Sequence, residues 1–134
     1  MPAATMSRHL LITEDDAPLR QMLAWDFADL GYRVTEAGCC REALALTAGL
    51  HLDVALLDYN LPDGLGTDLI PPLIRRFPAL PIILCSGREP AWCGTELERM
   101  LARGSCRFVC KPAPASQLHR LFEQMLVQAQ APAH

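Results

Sequence analysis

Four apolar segments of the sequence each end in residues that can do chemistry. Glu14 and Asp15 follow the segment HLLIT, and Asp58 ends the segment DVALLD. Ser86 ends PIILCS, and Lys111 ends CRFVCK and is followed by a proline. If these segments are neighbouring strands, three acids, a hydroxyl and an ammonium group meet at one place.

Such a set of groups points to phosphoryl transfer. Clustered carboxylates repel one another, and their hard oxygen atoms suit Mg²⁺. A divalent cation and a lysine can together balance the charge on the oxygens of a phosphoryl group, while positioning does most of the catalysis. Asp58 is the candidate nucleophile, because carboxylates can form acyl phosphates. The sequence has no Walker A loop, so it lacks the pattern of a nucleotide-driven enzyme.

The elements that would position these groups alternate along the chain. Short apolar segments are separated by longer segments with helical spacing, which predicts an α/β fold with a doubly wound, parallel five-stranded sheet and helices on both faces. Parallel sheets of this kind bind ligands at the carboxyl ends of their strands. The five predicted strands are 9–13, 32–36, 53–58, 81–86 and 106–111.

Local signals predict some helix boundaries. Asp16 is a candidate N-cap of the first helix. Thr67 is expected to cap the third, which would place Pro71-Pro72 at or just after the first turn. We expect Asp63 to be a turn residue, and His119 to be a solvated position on the fifth helix.

Composition excludes several classes of protein. The 134 residues suit one domain, expected at 7–128 between tails at 1–6 and 129–134. A net charge of −3 argues against a nucleic-acid partner. The apolar segments are too short to span a membrane, and the N-terminus does not have the pattern of a signal peptide, so we expect a cytoplasmic protein. The six cysteines have neither a CxxC pair nor zinc-type spacing, which predicts free thiols.

Four motifs in this order resemble a response-regulator receiver domain of the CheY-like superfamily. They are LLITEDDAPLR, DVALLDYNLPDGLG, PIILCSG and FVCKP, and the resemblance covers roughly residues 7 to 128. It implies a flavodoxin-like (βα)5 fold with strand order 2-1-3-4-5.

The resemblance also implies a role for each site residue. Asp58 would accept a phosphoryl group, and Glu14, Asp15, Asp58 and the backbone carbonyl of Asn60 would hold Mg²⁺, which Mn²⁺ is expected to be able to replace. Lys111 would pair with Asp58 before transfer and with the phosphoryl group afterwards, and Ser86 would bind a phosphoryl oxygen after transfer. The remaining roles are a switch aromatic at Phe108, tuning of the phosphate lifetime by Asn60 and Arg88, and a cis peptide bond before Pro112.

The predicted function is that of a phosphoacceptor in a two-component phosphorelay. The donor would be a histidine kinase or a histidine phosphotransfer protein. The domain would catalyse its own phosphorylation and dephosphorylation rather than act as a classical enzyme. A dimer through the fourth helix, fifth strand and fifth helix is expected.

Three alternatives stay open. The chain could be an interaction module that works without phosphorylation, or a receiver excised from a hybrid histidine kinase. A hydrolase of the haloacid-dehalogenase type is disfavoured, because that family has its nucleophile after the first strand, whereas Asp58 lies after the third.

Overall fold

A single parallel sheet organises the computed structural model, which describes residues 7–87 and 106–130, with side chains described as far as residue 128. The five strands run parallel in the order β2-β1-β3-β6-β7. When the five strands of this sheet are numbered in chain order, this is the predicted order 2-1-3-4-5. Each predicted strand is confirmed to within one residue at either end. The strands are β1 His9–Thr13, β2 Arg33–Ala37, β3 Val54–Asp58, β6 Ile82–Ser86 and β7 Cys106–Cys110.

Helices cover both faces of the sheet, as predicted. Alternate residues of β1 point to opposite faces, so Leu10 and Ile12 enter one core and Leu11 the other. The first core includes α1 and α4, and the second includes α2 and α3. The predicted fourth helix and Arg88 lie outside the described residues. The four described helices are α1 Ala17–Asp29, α2 Cys40–Thr47, α3 Gly66–Arg76 and α4 Ala115–Gln130.

A short antiparallel pair of strands, β4 Asn60–Leu61 and β5 Gly64–Leu65, leads into α3. The prediction that Thr67 caps α3 is wrong: the helix begins at Gly66, and the Asp68 carboxylate accepts a hydrogen bond from the Leu65 N–H at 2.9 Å. Asp68, rather than Thr67, supplies the capping side chain, because its carboxylate reaches the free N–H of the residue that precedes the helix.

The early start of α3 moves Pro71 and Pro72 into the helix interior. An interior proline costs about 3 kcal/mol relative to alanine. Leu69, Ile70 and Leu73 are fully buried against the sheet, and each such side chain contributes roughly 1.5–3 kcal/mol. Packing of this face therefore offsets the cost of the prolines.

Asp63 has a role beyond the turn expected from the sequence. Its carboxylate accepts hydrogen bonds from the N–H groups of Cys40 at 2.7 Å and Arg41 at 2.9 Å. These bonds lower the pKa of Asp63 to about 2. Asp63 thus caps the N-terminus of α2 from a distant turn and fixes the β4–β5 pair against that helix.

None of the described helices has the length and apolar character that crossing a bilayer requires.

Candidate functional site

The register of the sheet brings the four chemical segment ends to one edge. Thr13, which precedes the acidic pair, lies opposite Leu57, and Asp58 lies opposite Cys85. On the next strand, Ser86 lies opposite Cys110, the residue before Lys111. The predicted convergence of these ends is therefore present in the structure.

Three carboxylates cluster at this edge. Glu14 and Asp58 are buried, with 4% and 8% exposure, whereas Asp15 is exposed. One carboxylate oxygen from each of the three lies within 4.8 Å of the others. Only oxygen atoms make up this donor set, and two of the charges are poorly hydrated. These residues fit a hard divalent cation such as Mg²⁺.

Lys111 lies between the two buried acids. Its Nζ donates hydrogen bonds to Glu14 Oε1 at 2.6 Å and to Asp58 Oδ1 at 3.1 Å. Its backbone N–H donates to the Ser86 carbonyl at 2.8 Å, and the Lys111–Pro112 peptide bond is cis. The pairing of Lys111 with Asp58 was predicted from the sequence, whereas its contact with Glu14 was not.

Burial and neighbouring charges shift the pKa values of Glu14 and Lys111. Burial raises the pKa of Glu14, and the neighbouring Asp58 adds to the rise, while the hydrogen bond from Lys111 partly offsets it. Burial alone would lower the pKa of Lys111, but its hydrogen bonds to Glu14 and Asp58 outweigh burial and raise that pKa. The lysine is therefore held in its charged form among carboxylates that need a cation.

Ser86 and Phe108 lie on adjacent strands beside this cluster. Ser86 is buried at the end of β6, and Phe108 is half-buried opposite Leu84 on β7. Phe108 packs against the core beneath α2 and α3. These placements suit the predicted switch pair, whose movement stays a prediction.

Asn60 lies two residues beyond Asp58, in β4, with an exposed side chain. It pairs with Leu65, so β4 and β5 carry the chain from the end of β3 into α3. The metal-binding role of the Asn60 carbonyl and its tuning role stay predictions.

Sequence reasoning missed Gly66, which packs directly behind Asp58. The Gly66 N–H donates to the Tyr59 carbonyl at 2.7 Å. A Cβ atom at residue 66 would collide with the Asp58 carbonyl oxygen and lie 2.9 Å from Leu84 Cδ1. Only glycine lets α3 begin this close to the end of β3. The available signal was the second glycine of DGLG, which helix propensity alone does not explain.

A cavity of about 400 Å³ opens beside the carboxylates, between α1 and the start of α4. Its walls are mainly aliphatic, including Leu19, Leu23 and Leu118, and Glu14, Asp58 and Lys111 line its polar end. This cavity was not predicted from the sequence, because its walls come from distant segments. The acid cluster is thus open on one side to a recess large enough for a small group.

Comparison with known proteins identifies the family of domains to which this fold and its acidic edge belong. Residues 10–123 match the response regulator receiver domain. The chain belongs to this family and is a receiver domain of the kind found in two-component response regulators.

Curated relatives are longer than this chain. It is 32% identical over 122 residues to the transcriptional regulatory protein CitT of Bacillus subtilis (strain 168), covering 90% of this chain and 51% of that protein. It is 29% identical over 117 residues to the phosphate regulon transcriptional regulatory protein PhoB of Escherichia coli (strain K12), covering 84% of this chain and 49% of that protein. The chain therefore spans about half the length of these relatives.

Solved receiver domains share the fold. A CheY-like receiver domain protein from Methanospirillum hungatei JF-1 superposes with a TM-score of 0.79 at 22% identity, covering 93% of this chain and 98% of that one. The non-phosphorylated HemR receiver domain of Leptospira biflexa gives 0.72 at 26% identity, covering 96% and 100%.

Proposed function

We propose that Asp58 is the phosphoacceptor of this receiver domain and takes its phosphoryl group from a phosphohistidine. The donor would be a histidine kinase or a histidine phosphotransfer protein. One observation carries the proposal: Asp58 is a buried carboxylate 3.1 Å from the Lys111 ammonium and within 4.8 Å of two further acids. Beside such a carboxylate, the Lys111 ammonium can bind the oxygens of the incoming phosphoryl group, and the three acids can bind a metal cation.

In the transfer step, an Asp58 carboxylate oxygen attacks phosphorus. A P–O bond forms as the P–N bond of phosphohistidine breaks, and the electron pair of that bond returns to the imidazole, which regains a proton. Dephosphorylation is the attack of water on the same phosphorus, which releases phosphate and restores the carboxylate. Lys111 donates to a phosphoryl oxygen throughout, and the Ser86 hydroxyl donates to another after transfer.

Glu14, Asp15 and Asp58, with the Asn60 carbonyl, would hold Mg²⁺, and Mn²⁺ is expected to replace it. The bound cation supplies charge balance for the phosphoryl oxygens and fixes their orientation. Glu14 also receives the Lys111 hydrogen bond, so it links the lysine to the metal-binding residues.

Phosphorylation would then switch a partner-binding surface. Ser86 would move toward the phosphoryl group, and Phe108 would turn into the space released, which biases a two-state element with one new charge. Arg88 and Asn60 would tune the lifetime of the phosphate. A partner or a second copy would contact the face that β7 and α4 form with the helix predicted from the sequence between β6 and β7.

Residues 7–128 would form the receiver unit, working in the cytoplasm. It would act as a free-standing regulator or as part of a longer protein, including a hybrid histidine kinase.

The test is incubation with acetyl phosphate and MgCl₂, followed by intact-protein mass spectrometry. We expect one phosphoryl adduct on the wild type and none on Asp58→Asn or without a divalent cation. Asp29→Asn, which alters an exposed acid at the end of α1, should be phosphorylated like the wild type. An adduct that persists in Asp58→Asn would refute the assignment of Asp58. A wild type that binds neither Mg²⁺ nor beryllofluoride would favour a module that works without phosphorylation.

A further inference from the structure

We infer that Arg20 is a positioning residue for the acidic pair, acting through the peptide bond that joins Glu14 to Asp15. Its Nη1 donates a hydrogen bond of 2.7 Å to the Glu14 carbonyl oxygen. Its Nε lies 3.3 Å from Glu36 Oε1 on β2. The inference rests on the proposed function, because it concerns residues proposed to hold the metal.

The Glu14 peptide is held on both sides. The Glu14 N–H donates to the Ala37 carbonyl at 3.0 Å, and its own carbonyl receives the Arg20 guanidinium. The Glu14 carboxylate also accepts from the Asp16 N–H at 3.1 Å. The Glu14 carbonyl oxygen and the Asp15 N–H belong to the same peptide group. By binding this oxygen, the guanidinium fixes the peptide plane and with it the directions of the Glu14 and Asp15 side chains.

Arg20 is itself anchored. It lies in the first turn of α1, where its N–H donates to the Asp16 carbonyl at 2.8 Å. Its side chain is only 23% exposed, and Glu36 fixes the other edge of the guanidinium. A planar, forked donor held in this way can fix an acceptor more firmly than a flexible ammonium can.

The charge of Arg20 gives the inference a sharp test. A positive charge near a cation site opposes cation binding, so electrostatics alone predicts that removing Arg20 tightens Mg²⁺ binding. Loss of positioning predicts the opposite, because groups that orient metal ligands typically contribute about 10- to 100-fold in affinity. The direction of the change therefore separates the two roles.

The experiment is calorimetric titration of the full chain with MgCl₂. We expect Arg20→Met to weaken Mg²⁺ binding by about 10-fold or more and Arg20→Lys to restore part of the loss, since lysine keeps one donor. Arg33→Met is the matched control: it removes one positive charge from an exposed site at the opposite end of β2, and it should leave the affinity unchanged. Arg20→Met binding as tight as or tighter than the wild type would overturn the inference.

Failure of the proposed function can be recognised separately. If the wild type binds no Mg²⁺, the proposed metal site is wrong. Hydrogen exchange of the metal-free protein then decides the inference. Faster exchange of the Glu14 and Asp16 amides in Arg20→Met than in Arg33→Met supports positioning, and equal exchange overturns it. The same comparison holds for Glu36→Gln if Arg20→Met does not fold.

Discussion

Lys111 Nζ donates a 2.6 Å hydrogen bond to Glu14 Oε1, across 97 positions of sequence. Lys111 is also the only lysine in the chain, since every other basic residue apart from histidine is an arginine. Its ammonium group lies beside a cluster of three acids with an excess of negative charge. It partly balances that charge, as a metal ion bound there would. A divalent cation and this lysine must share the same carboxylates.

The first prediction concerns that sharing. Lys111→Met removes a positive charge next to two buried carboxylates, so Mg²⁺ should bind about tenfold more tightly, equivalent to about 1.4 kcal/mol. Phosphorylation of Asp58 by acetyl phosphate should fall sharply in the same variant, because the donor to the phosphoryl oxygen is lost. Calorimetry with MgCl₂ and mass spectrometry measure the two effects. Arg120→Met, on the exposed side of α4, is the charge-matched control. Weaker Mg²⁺ binding in Lys111→Met would contradict the competition.

The second prediction tests the close approach of α3 to β3. Gly66→Ala should lower the free energy of unfolding by about 1–3 kcal/mol, because its Cβ would push against the Asp58 carbonyl and Leu84. Gly87→Ala is the matched control, since a Cβ there meets no atom of the described residues within 4 Å. Urea unfolding followed by circular dichroism gives both values. Equal stability of the two variants would show that α3 shifts freely and that Gly66 is not required.

The third prediction concerns thiol reactivity. Burial raises the pKa of Cys85 to about 12, so almost no thiolate is present at neutral pH. Cys106 is buried as well, whereas Cys110 is exposed. Alkylation of the native protein, read by peptide mass spectrometry, should label Cys110 before Cys85 and Cys106, which should stay unlabelled until urea is added. Early labelling of Cys85 would mean that the sheet beside Asp58 opens readily.

The sequence predicts the strands well, because strands buried on both faces are nearly continuous apolar segments. It also predicts the edge where the site lies, because the ends of parallel strands share one edge. Asp58 and Lys111 could be predicted to lie close together because each follows or ends a strand at that edge. The strand that departs most from a continuous apolar segment is the edge strand β2. Its predicted bounds were displaced by one residue at both ends, whereas every other strand matched at one end or both.

Contacts between distant segments could not be predicted in this way. Asp63 caps α2 from 22 and 23 residues away, and Arg20 reaches Glu36 on β2, 16 residues further along the chain. The predicted start of α3 was wrong because the two prolines suggest a late start. Burial of Leu69 and Leu73 stabilises the longer helix despite its prolines. In each case the decisive interaction exists only after the sheet has formed.

The last prediction arises from another such contact, between Tyr32 and His119. His119 was expected to be solvated, but its Nδ1 lies 2.8 Å from the Tyr32 hydroxyl, and the two rings meet edge to face at 5.6 Å. Burial, with the nearby negative charge of Glu123, raises the pKa of Tyr32 to about 12 from an ordinary value of 10.0. The folded protein therefore keeps a proton that the unfolded chain loses between these values.

The free energy of unfolding should consequently fall as pH rises above 10, with a contribution from Tyr32 of up to about 1.4 kcal/mol per pH unit. Tyr32→Phe should be less stable than the wild type by about 1 kcal/mol at pH 8, where it lacks the hydrogen bond. Its stability should then fall less steeply, so that the two curves converge toward high pH. Urea unfolding at a series of pH values measures this, with Tyr59→Phe, which alters the other tyrosine, as the control that retains the slope. Parallel curves for the wild type and Tyr32→Phe would show that Tyr32 titrates alike in the folded and unfolded chains.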